Sequence, residues 1–492
     1  HIFINSLTRG EYNSGLEARF QLNNNMPEYK SRFCPSPTGY MHLGNLRTAL
    51  LNVLLALQTK GIFLLRIEDT DLERSERKYA EALCDDLEWM GLNWQEGPRI
   101  GGVELSYFQS ERTNIYKSFY DTLLEKELIY PCFMSEEELK IIRRNQIAAG
   151  QPPRYAGTWA NATAEAVETE LAKGLMPVYR FRIPKDKVIS FVDLVKGEQN
   201  FSGVDLDDFI VKKKDGNPTF MFANAVDDSL MGINVVLRGE DHLSNTPRQI
   251  ALLEALDLAI PTFVHVALFT GDDGAPLSKR NGSLSVKELK EMGYFPSAVA
   301  NYLSRVGHTI GDNELRSLDG LSSVFKISSI SSSPSRFDLD QLNFWQKKVL
   351  ENEEISNLVI WLSPHIKEDL PNDINLYQFV ELIKDNILFP HEAKTYLRKL
   401  FNLPLSEDLE IRETLSKAGK AMFMTAMNVV EENWGDWHLT MKKIGEESGK
   451  KGKDLFMPIR AAITGQLSGP ELDKVTELLG KERVLMRLEE AS

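Results

Sequence analysis

Apolar positions along this chain follow two periods in turn. Leu46, Ala49, Leu50, Val53, Leu54 and Leu57 recur at helical spacing and predict a helix with one buried face. Extended, largely apolar runs at Tyr29–Cys34, Ile62–Ile67, Ile233–Leu237 and Phe263–Phe269 predict strands. Further helices are expected over Arg74–Met90, with Tyr79, Leu83, Leu87 and Met90 inward, and over Ser110–Leu128. Ser110 would cap the latter, and Tyr116, Phe119, Leu123 and Leu124 would line one face. Thr246-Pro247 offers a cap and a first-turn proline for another helix. From Leu342 onward the pattern is mostly helical, as in Ile355–Leu362 and Leu472–Leu488. Strands alternating with helices, then helices alone, predict an α/β region followed by an all-helical one.

Between the first strand and the first helix lies Arg32-Phe-Cys-Pro-Ser-Pro-Thr-Gly-Tyr-Met-His-Leu-Gly-Asn45. Pro35 and Pro37 fix φ and remove donors, and Gly39 can adopt conformations closed to other residues, so a sharp turn is expected. His42 and Gly44 then fall at the helix start, where free N–H groups and the positive dipole end favour phosphate. The second chemical segment is Ala275-Pro-Leu-Ser-Lys-Arg-Asn-Gly282, a short loop whose Lys279 and Arg280 suit a nucleotide that gains phosphate charge during reaction. Taken singly, each segment also fits a packing histidine or a solvated basic turn.

Together, in this order, His42-Leu-Gly-Asn45 and Leu277-Ser-Lys-Arg280 resemble the two signatures of class I aminoacyl-tRNA synthetases. Arg66-Ile-Glu-Asp-Thr-Asp71, Phe222-Ala-Asn-Ala-Val-Asp-Asp228, Arg238-Gly-Glu-Asp-His-Leu-Ser-Asn-Thr-Pro-Arg248, Phe337-Asp-Leu-Asp340 and Pro458-Ile-Arg-Ala-Ala-Ile-Thr-Gly465 narrow the resemblance. They are similar to glutamyl-tRNA synthetases of the bacterial and organellar type, from about residue 28 to the end. The resemblance implies a Rossmann-like class I catalytic domain with an α+β insertion, followed by an all-helical anticodon-binding domain. The boundaries expected are a non-native or unstructured leader at 1–25, catalytic halves at 26–110 and 218–275, and an acceptor-stem insertion at 111–217. The signature loop and connective region then occupy 276–341 and the anticodon module 342–492.

It also implies glutamate–tRNA ligase activity, with L-glutamate, ATP and tRNA(Glu) as partners and Mg²⁺ carried with ATP. Free glutamate has one ammonium and two carboxylates, so its pocket needs an anion and fixed cations. By resemblance, Glu68 takes the ammonium with Ser36 and Asn224 nearby, Arg32 and Arg238 hold the side-chain carboxylate, and Phe220 lines the same pocket. Thr38, His42, Gly44, Asn45, Leu277 and Lys279 are expected around ATP. His42, Ser278, Lys279 and Arg280 are the expected catalytic set, with Lys279 on the departing pyrophosphate. Two departures stand out: Pro276 replaces the usual first lysine of the loop, and Phe220 replaces a common tyrosine. Two alternatives stay open, a paralogue charging tRNA(Gln) with glutamate and a non-catalytic tRNA-binding descendant.

Composition adds bounds. The chain has 492 residues, 42% hydrophobic and 26% charged, consistent with roughly two to four domains. No apolar run approaches the roughly 20 residues of a membrane span. The 3 cysteines are far apart, which fits a reducing, cytoplasmic setting. Cys132-Phe-Met134 lacks the second thiol through which some relatives bind zinc, so no structural zinc is expected, and the chain is read as a monomer. Net charge is −14, so a tRNA would be met through local patches such as Arg143-Arg144, Lys212–Lys214, Lys347-Lys348, Lys442-Lys443 and Lys450–Lys453. Ser328–Ser335 reads as a linker.

Overall fold

The computed structural model describes residues 28–492 apart from 72, 272, 276, 278–283, 403, 406 and 407. It divides into two compact units. Within the described residues, the first comprises 28–287 and 300–337, and the second 288–299 and 338–492.

In the first unit, β1 (Lys30–Phe33) runs parallel to β2 (Ile62–Leu65), and the helix Leu43–Thr59 connects them. That helix is buried on most of its surface, although Leu57 is exposed rather than inward. The helix Arg77–Trp89 follows, then Thr113–Glu125. A three-stranded antiparallel sheet of β3 (Ile129–Cys132), β4 (Val178–Phe181) and β7 (Phe209–Lys212) carries the helices Glu136–Ala148 and Ala164–Ala172 between its first two strands. The hairpin β5 (Val188–Asp193) and β6 (Gly197–Ser202) belongs to another sheet, of order β6-β5-β9-β8, where β8 is Val235–Gly239 and β9 is Thr262–Val266. Strands β8 and β9 are parallel, with Arg238 opposite His265. Asn234 joins β1 to the start of β8: its side chain accepts from Lys30 N at 2.8 Å and its N–H donates to Lys30 O at 3.2 Å.

Three local expectations change. Ser110 caps no helix. It lies in a short 3₁₀ turn, and its N–H and hydroxyl both bond Asp69, at 2.8 and 2.6 Å. Thr246 lies inside the helix Thr246–Ala255 behind Asn245, its hydroxyl engaged by Arg238. Leu124 is exposed. In each serine or threonine case a tertiary partner outcompetes the local cap. Ser328–Ser335 is no free linker either: Ser331 N donates to Gly307 O at 2.8 Å and Ser335 N to Leu268 O at 3.1 Å, within the first unit.

The second unit is helical from Leu339 to Glu490, around a core that includes Leu362, Phe379, Phe423, Ile459 and Leu488. The apolar run through Leu488 contains a kink: Gly480 has φ 77° and ψ 163°, outside helical values and in the region glycine tolerates.

Candidate active site

The turn predicted between β1 and the first helix forms, but not through Gly39. Pro35, Pro37 and the bond from Thr38 N to Ser36 O at 2.9 Å turn the chain, whereas Gly39 is absent from the positive-φ glycines and a Cβ there would meet nothing within 4 Å. His42 is the N-cap of the helix Leu43–Thr59, with Nδ1 accepting from Gly44 N at 3.1 Å and Asn45 N at 3.4 Å. Two backbone donors on Nδ1 require the neutral ring protonated at Nε2, a donor for phosphate. Burial lowers the pKa of this imidazole, in the same sense. Gly44 has a reason of its own, since a Cβ there would stand 3.0 Å from His42 Cε1 and crowd the capping ring.

A cavity of about 790 Å³ opens here. Arg32, Ser36, Thr38, His42, Gly44, Asn45, Glu68, Phe220, Asn224, Arg238 and Leu277 all line it. Ser278, Lys279, Arg280 and Pro276 lie outside the described residues. Leu277, described, is buried, and its N–H donates to Phe269 O at 2.8 Å.

Two arginines at the inner end differ sharply. Arg32 is committed to Asp228, with Nε 3.2 Å from both carboxylate oxygens and Nη2 3.1 Å from Oδ2. Arg66 shares that carboxylate through Nη2 at 2.8 Å. Arg238 has no carboxylate partner among the described residues: Nε donates to His265 Nε2 at 3.2 Å, and Nη2 to Thr246 Oγ1 at 2.9 Å and Gln249 Oε1 at 2.7 Å. Its Nη1 makes no protein hydrogen bond there. Burial, with Arg32 adding repulsion, pulls its pKa down to about 9. Glu68 mirrors it. Oε1 accepts from Asn224 Nδ2 at 2.6 Å and Arg66 Nη2 at 3.1 Å, while buried Oε2 has no partner. Burial raises its carboxyl pKa despite the counteracting Arg66. Among the described residues, a buried guanidinium without a carboxylate and a buried carboxylate with one oxygen unpartnered therefore line one cavity, which suits an amino acid with an acidic side chain.

Phe220 packs on the ring of His242, with centroids 5.3 Å apart. His242, Arg47, Lys213 and Cys34 also line the cavity; Lys213 belongs to the basic patch Lys212–Lys214 and Cys34 to the segment Arg32–Asn45, whereas no role was read for Arg47 or His242 from sequence. Burial and Arg238 hold the His242 pKa down to about 4, and burial pushes the Cys34 thiol to about 12, an unreactive state. His242 lies within the motif beginning at Arg238, which is the signal that could have found it. In the insertion, Cys132 Sγ accepts from Arg180 Nε at 3.4 Å beside the Tyr155 hydroxyl at 3.6 Å. Among the described residues no group of three or more His, Cys, Asp or Glu is placed to hold a metal, and no helix is long and apolar enough to cross a membrane. Metal analysis of the purified chain tests the expectation of no structural zinc.

Residues 28–344 match the catalytic domain of class I tRNA synthetases of the E and Q group. The chain belongs to that family. The second unit of this class I synthetase matches an anticodon binding domain over residues 355–492. The synthetase is 46% identical over 465 residues to a protein named glutamate–tRNA ligase 2 from Nitrosococcus oceani, covering 94% of this chain and 98% of the relative. It is 47% identical over 469 residues to glutamate–tRNA ligase 1 of Halorhodospira halophila, covering 94% and 96%. A crystal structure of a glutamate tRNA ligase from Elizabethkingia meningosepticum, in complex with its amino acid, aligns with TM-score 0.85 and 27% identity over 94% of this chain and 99% of that one. As a class I synthetase the chain is an aminoacyl-tRNA ligase that uses ATP.

In the anticodon-binding unit a groove of about 720 Å³ is lined by Trp437, Lys442, Lys450, Lys451, Phe456 and Arg460, together with the carboxylates Glu446, Glu471 and Asp473. Aromatic faces among cations are what stacked single-stranded bases and their phosphates require. Of the other basic patches, Lys212 lies over the rings of Tyr120 and Tyr179, and Lys213 donates to Thr70 O at 3.0 Å on the catalytic cavity.

Proposed function

We propose that this chain joins L-glutamate to tRNA(Glu) at the expense of ATP, with the cavity around Glu68 and Arg238 as its amino-acid site. One observation supports the reading: among the described residues, Glu68 Oε2 has no donor and Arg238 Nη1 no acceptor, and both side chains line the same cavity. Glutamate supplies both, its ammonium to Glu68 and its side-chain carboxylate to Arg238. Glutamine leaves the guanidinium facing an uncharged amide, at a cost of about 1–3 kcal/mol or more.

Seated in this way, the amino acid's α-carboxylate faces the turn Ser36–Asn45. One α-carboxylate oxygen attacks the α-phosphorus of ATP, the bond to the β-phosphate oxygen breaks, and glutamyl-adenylate and pyrophosphate result. The terminal ribose hydroxyl of tRNA then attacks the acyl carbon, AMP leaves, and the hydroxyl proton passes to solvent. The chain's part is positioning and charge stabilisation. His42 donates Nε2–H to phosphate from its fixed tautomer, Gly44 leaves room at the adenine face, and Lys279, assisted by Ser278 and Arg280, holds the departing pyrophosphate. Mg²⁺ enters as the ATP complex, bound through substrate phosphates. Arg32, held by Asp228 through Nε and Nη2 and donating from Nη1 to Leu237 O at 3.3 Å, adds positive charge at the side-chain carboxylate. Residues 111–217 receive the acceptor stem, the Trp437–Arg460 groove receives anticodon bases, and the enzyme acts as a monomer.

ATP–pyrophosphate exchange with tRNA present tests this reading. Glutamate is expected to support exchange and glutamine is not, and equal exchange with both would remove Arg238 from the selective site.

A further inference from the structure

Behind Arg238 lies a buried polar assembly that none of the roles above uses. Asp193, at the end of β5, is fully buried, as is His265 on β9. Asp193 Oδ1 accepts from Val195 N at 3.0 Å and Lys196 N at 2.7 Å, and Oδ2 accepts from His265 N at 3.0 Å while facing His265 Nδ1 at 2.6 Å. A carboxylate already taking three backbone donors is ionised, so the proton of the fourth contact sits on His265 Nδ1. In a neutral ring Nε2 is then a bare acceptor, and it is the atom that Arg238 Nε reaches. His265 Nε2 also meets the Thr246 hydroxyl at 3.1 Å; a charged or oppositely protonated ring would turn its N–H to that oxygen and set it against Arg238 Nε–H. Burial and the Arg238 charge lower the His265 pKa, which keeps the ring neutral.

On its other side the guanidinium feeds a one-way chain. Arg238 Nη2 donates to Gln249 Oε1, Gln249 Nε2 to Asn224 Oδ1 at 3.0 Å, and Asn224 Nδ2 to Glu68 Oε1. Every member is buried. Reversing either amide would break two bonds at once, so the ammonium and carboxylate ends of the amino-acid site share one hydrogen-bond polarity.

We propose that Asp193 and His265 are positioning residues that fix the Arg238 guanidinium with Nη1 toward the substrate, and that with Gln249 they set the preference for a side-chain carboxylate over an amide. All three protein acceptors on Arg238 are neutral, so they orient the cation without discharging it. This inference rests on Arg238 being the carboxylate-binding residue.

The test is Asp193→Asn in the full-length enzyme, assayed by tRNA-supported ATP–pyrophosphate exchange. An asparagine NH₂ facing His265 Nδ1 selects the ring protonated at Nε2, which opposes Arg238 Nε–H. The expected result is a rise of roughly tenfold or more in the KM for glutamate and a comparable fall in selectivity over glutamine, with the KM for ATP within about twofold of the parent. Unchanged glutamate KM and selectivity in a folded variant would overturn the dyad. Nitrogen NMR of the parent enzyme, labelled at histidine and assigned with His265→Gln, needs no folded Asp193 variant: a neutral ring protonated at Nδ1 is expected, and protonation at Nε2 overturns the proposal. Arg238→Gln separates the two levels. Should it leave glutamate kinetics unaltered, the amino-acid site itself is wrong; a loss there beside a parent-like Asp193→Asn removes only the dyad.

Discussion

The two ends of the catalytic cavity are built differently. At the amino-acid end Arg32, Arg66, Glu68, Asn224, Asp228, Arg238 and Gln249 are all buried and joined side chain to side chain. At the proposed nucleotide end Thr38 is exposed, and His42 is held by backbone donors at a helix start. On the proposed function the first arrangement selects, because a buried guanidinium without a carboxylate is costly and a matching ligand relieves it. On the same proposed function the second accommodates a substrate whose charge changes during reaction, through a helix N-terminus, one neutral imidazole and the cations Lys279 and Arg280.

The comparison can be broken from either end. The largest effect is expected for Lys279→Ala, which should lower turnover by about 10³-fold or more while leaving tRNA binding intact, since it removes a cation that stabilises departing phosphate. Single-turnover adenylate formation measures it, and unchanged turnover would place the catalytic charge elsewhere. Next, Arg238→Gln should lower kcat/KM for glutamate by about 100-fold, with the KM for ATP little changed.

His42 gives an intermediate effect with a further signature. His42→Asn can keep a side-chain acceptor for the helix start but loses Nε2–H, so kcat should fall roughly 10- to 100-fold while the melting temperature stays near the parent value; His42→Ala should also lose about 1 kcal/mol of capping. Because the folded ring's pKa is lowered, protonation opposes folding. Its stability contribution is complete above the unfolded histidine value near 6.5 and declines as pH falls below it, and a His42→Asn chain should lack that component of the acid decline. The smallest change is expected for Phe220→Tyr, where a restored hydroxyl beside His242 should lower the KM for glutamate by roughly threefold, about one modest hydrogen bond. Steady-state kinetics decide it, and a raised KM would show the Phe220–His242 packing to be the better fit.

Local patterns carried much of the architecture. The period of Leu46–Leu54 marked the central helix, the prolines at 35 and 37 marked the turn, and the extended runs Ile62–Ile67 and Ile233–Leu237 marked the strands that lead to Glu68 and Arg238, although these belong to different sheets. What stayed hidden was the choice of partner. Nothing near Arg32 or Arg238 in sequence says that Asp228 neutralises one while no carboxylate among the described residues reaches the other, and His265, backed by Asp193, and Gln249 meet Arg238 only through sheet pairing and helix packing. The same limit explains Ser110 and Thr246, whose local sequence favours capping but whose hydroxyls serve Asp69 and Arg238 instead. Gly480 was overlooked because apolar spacing continues across the kink.

The most direct test of the account is charging of purified tRNA(Glu) and tRNA(Gln) with labelled glutamate or glutamine, with the Lys279→Ala chain as blank. Glutamate esterified to tRNA(Glu), and no glutamine on either tRNA, is the predicted result. Glutamine charging, or no glutamyl product on tRNA(Glu), would contradict it.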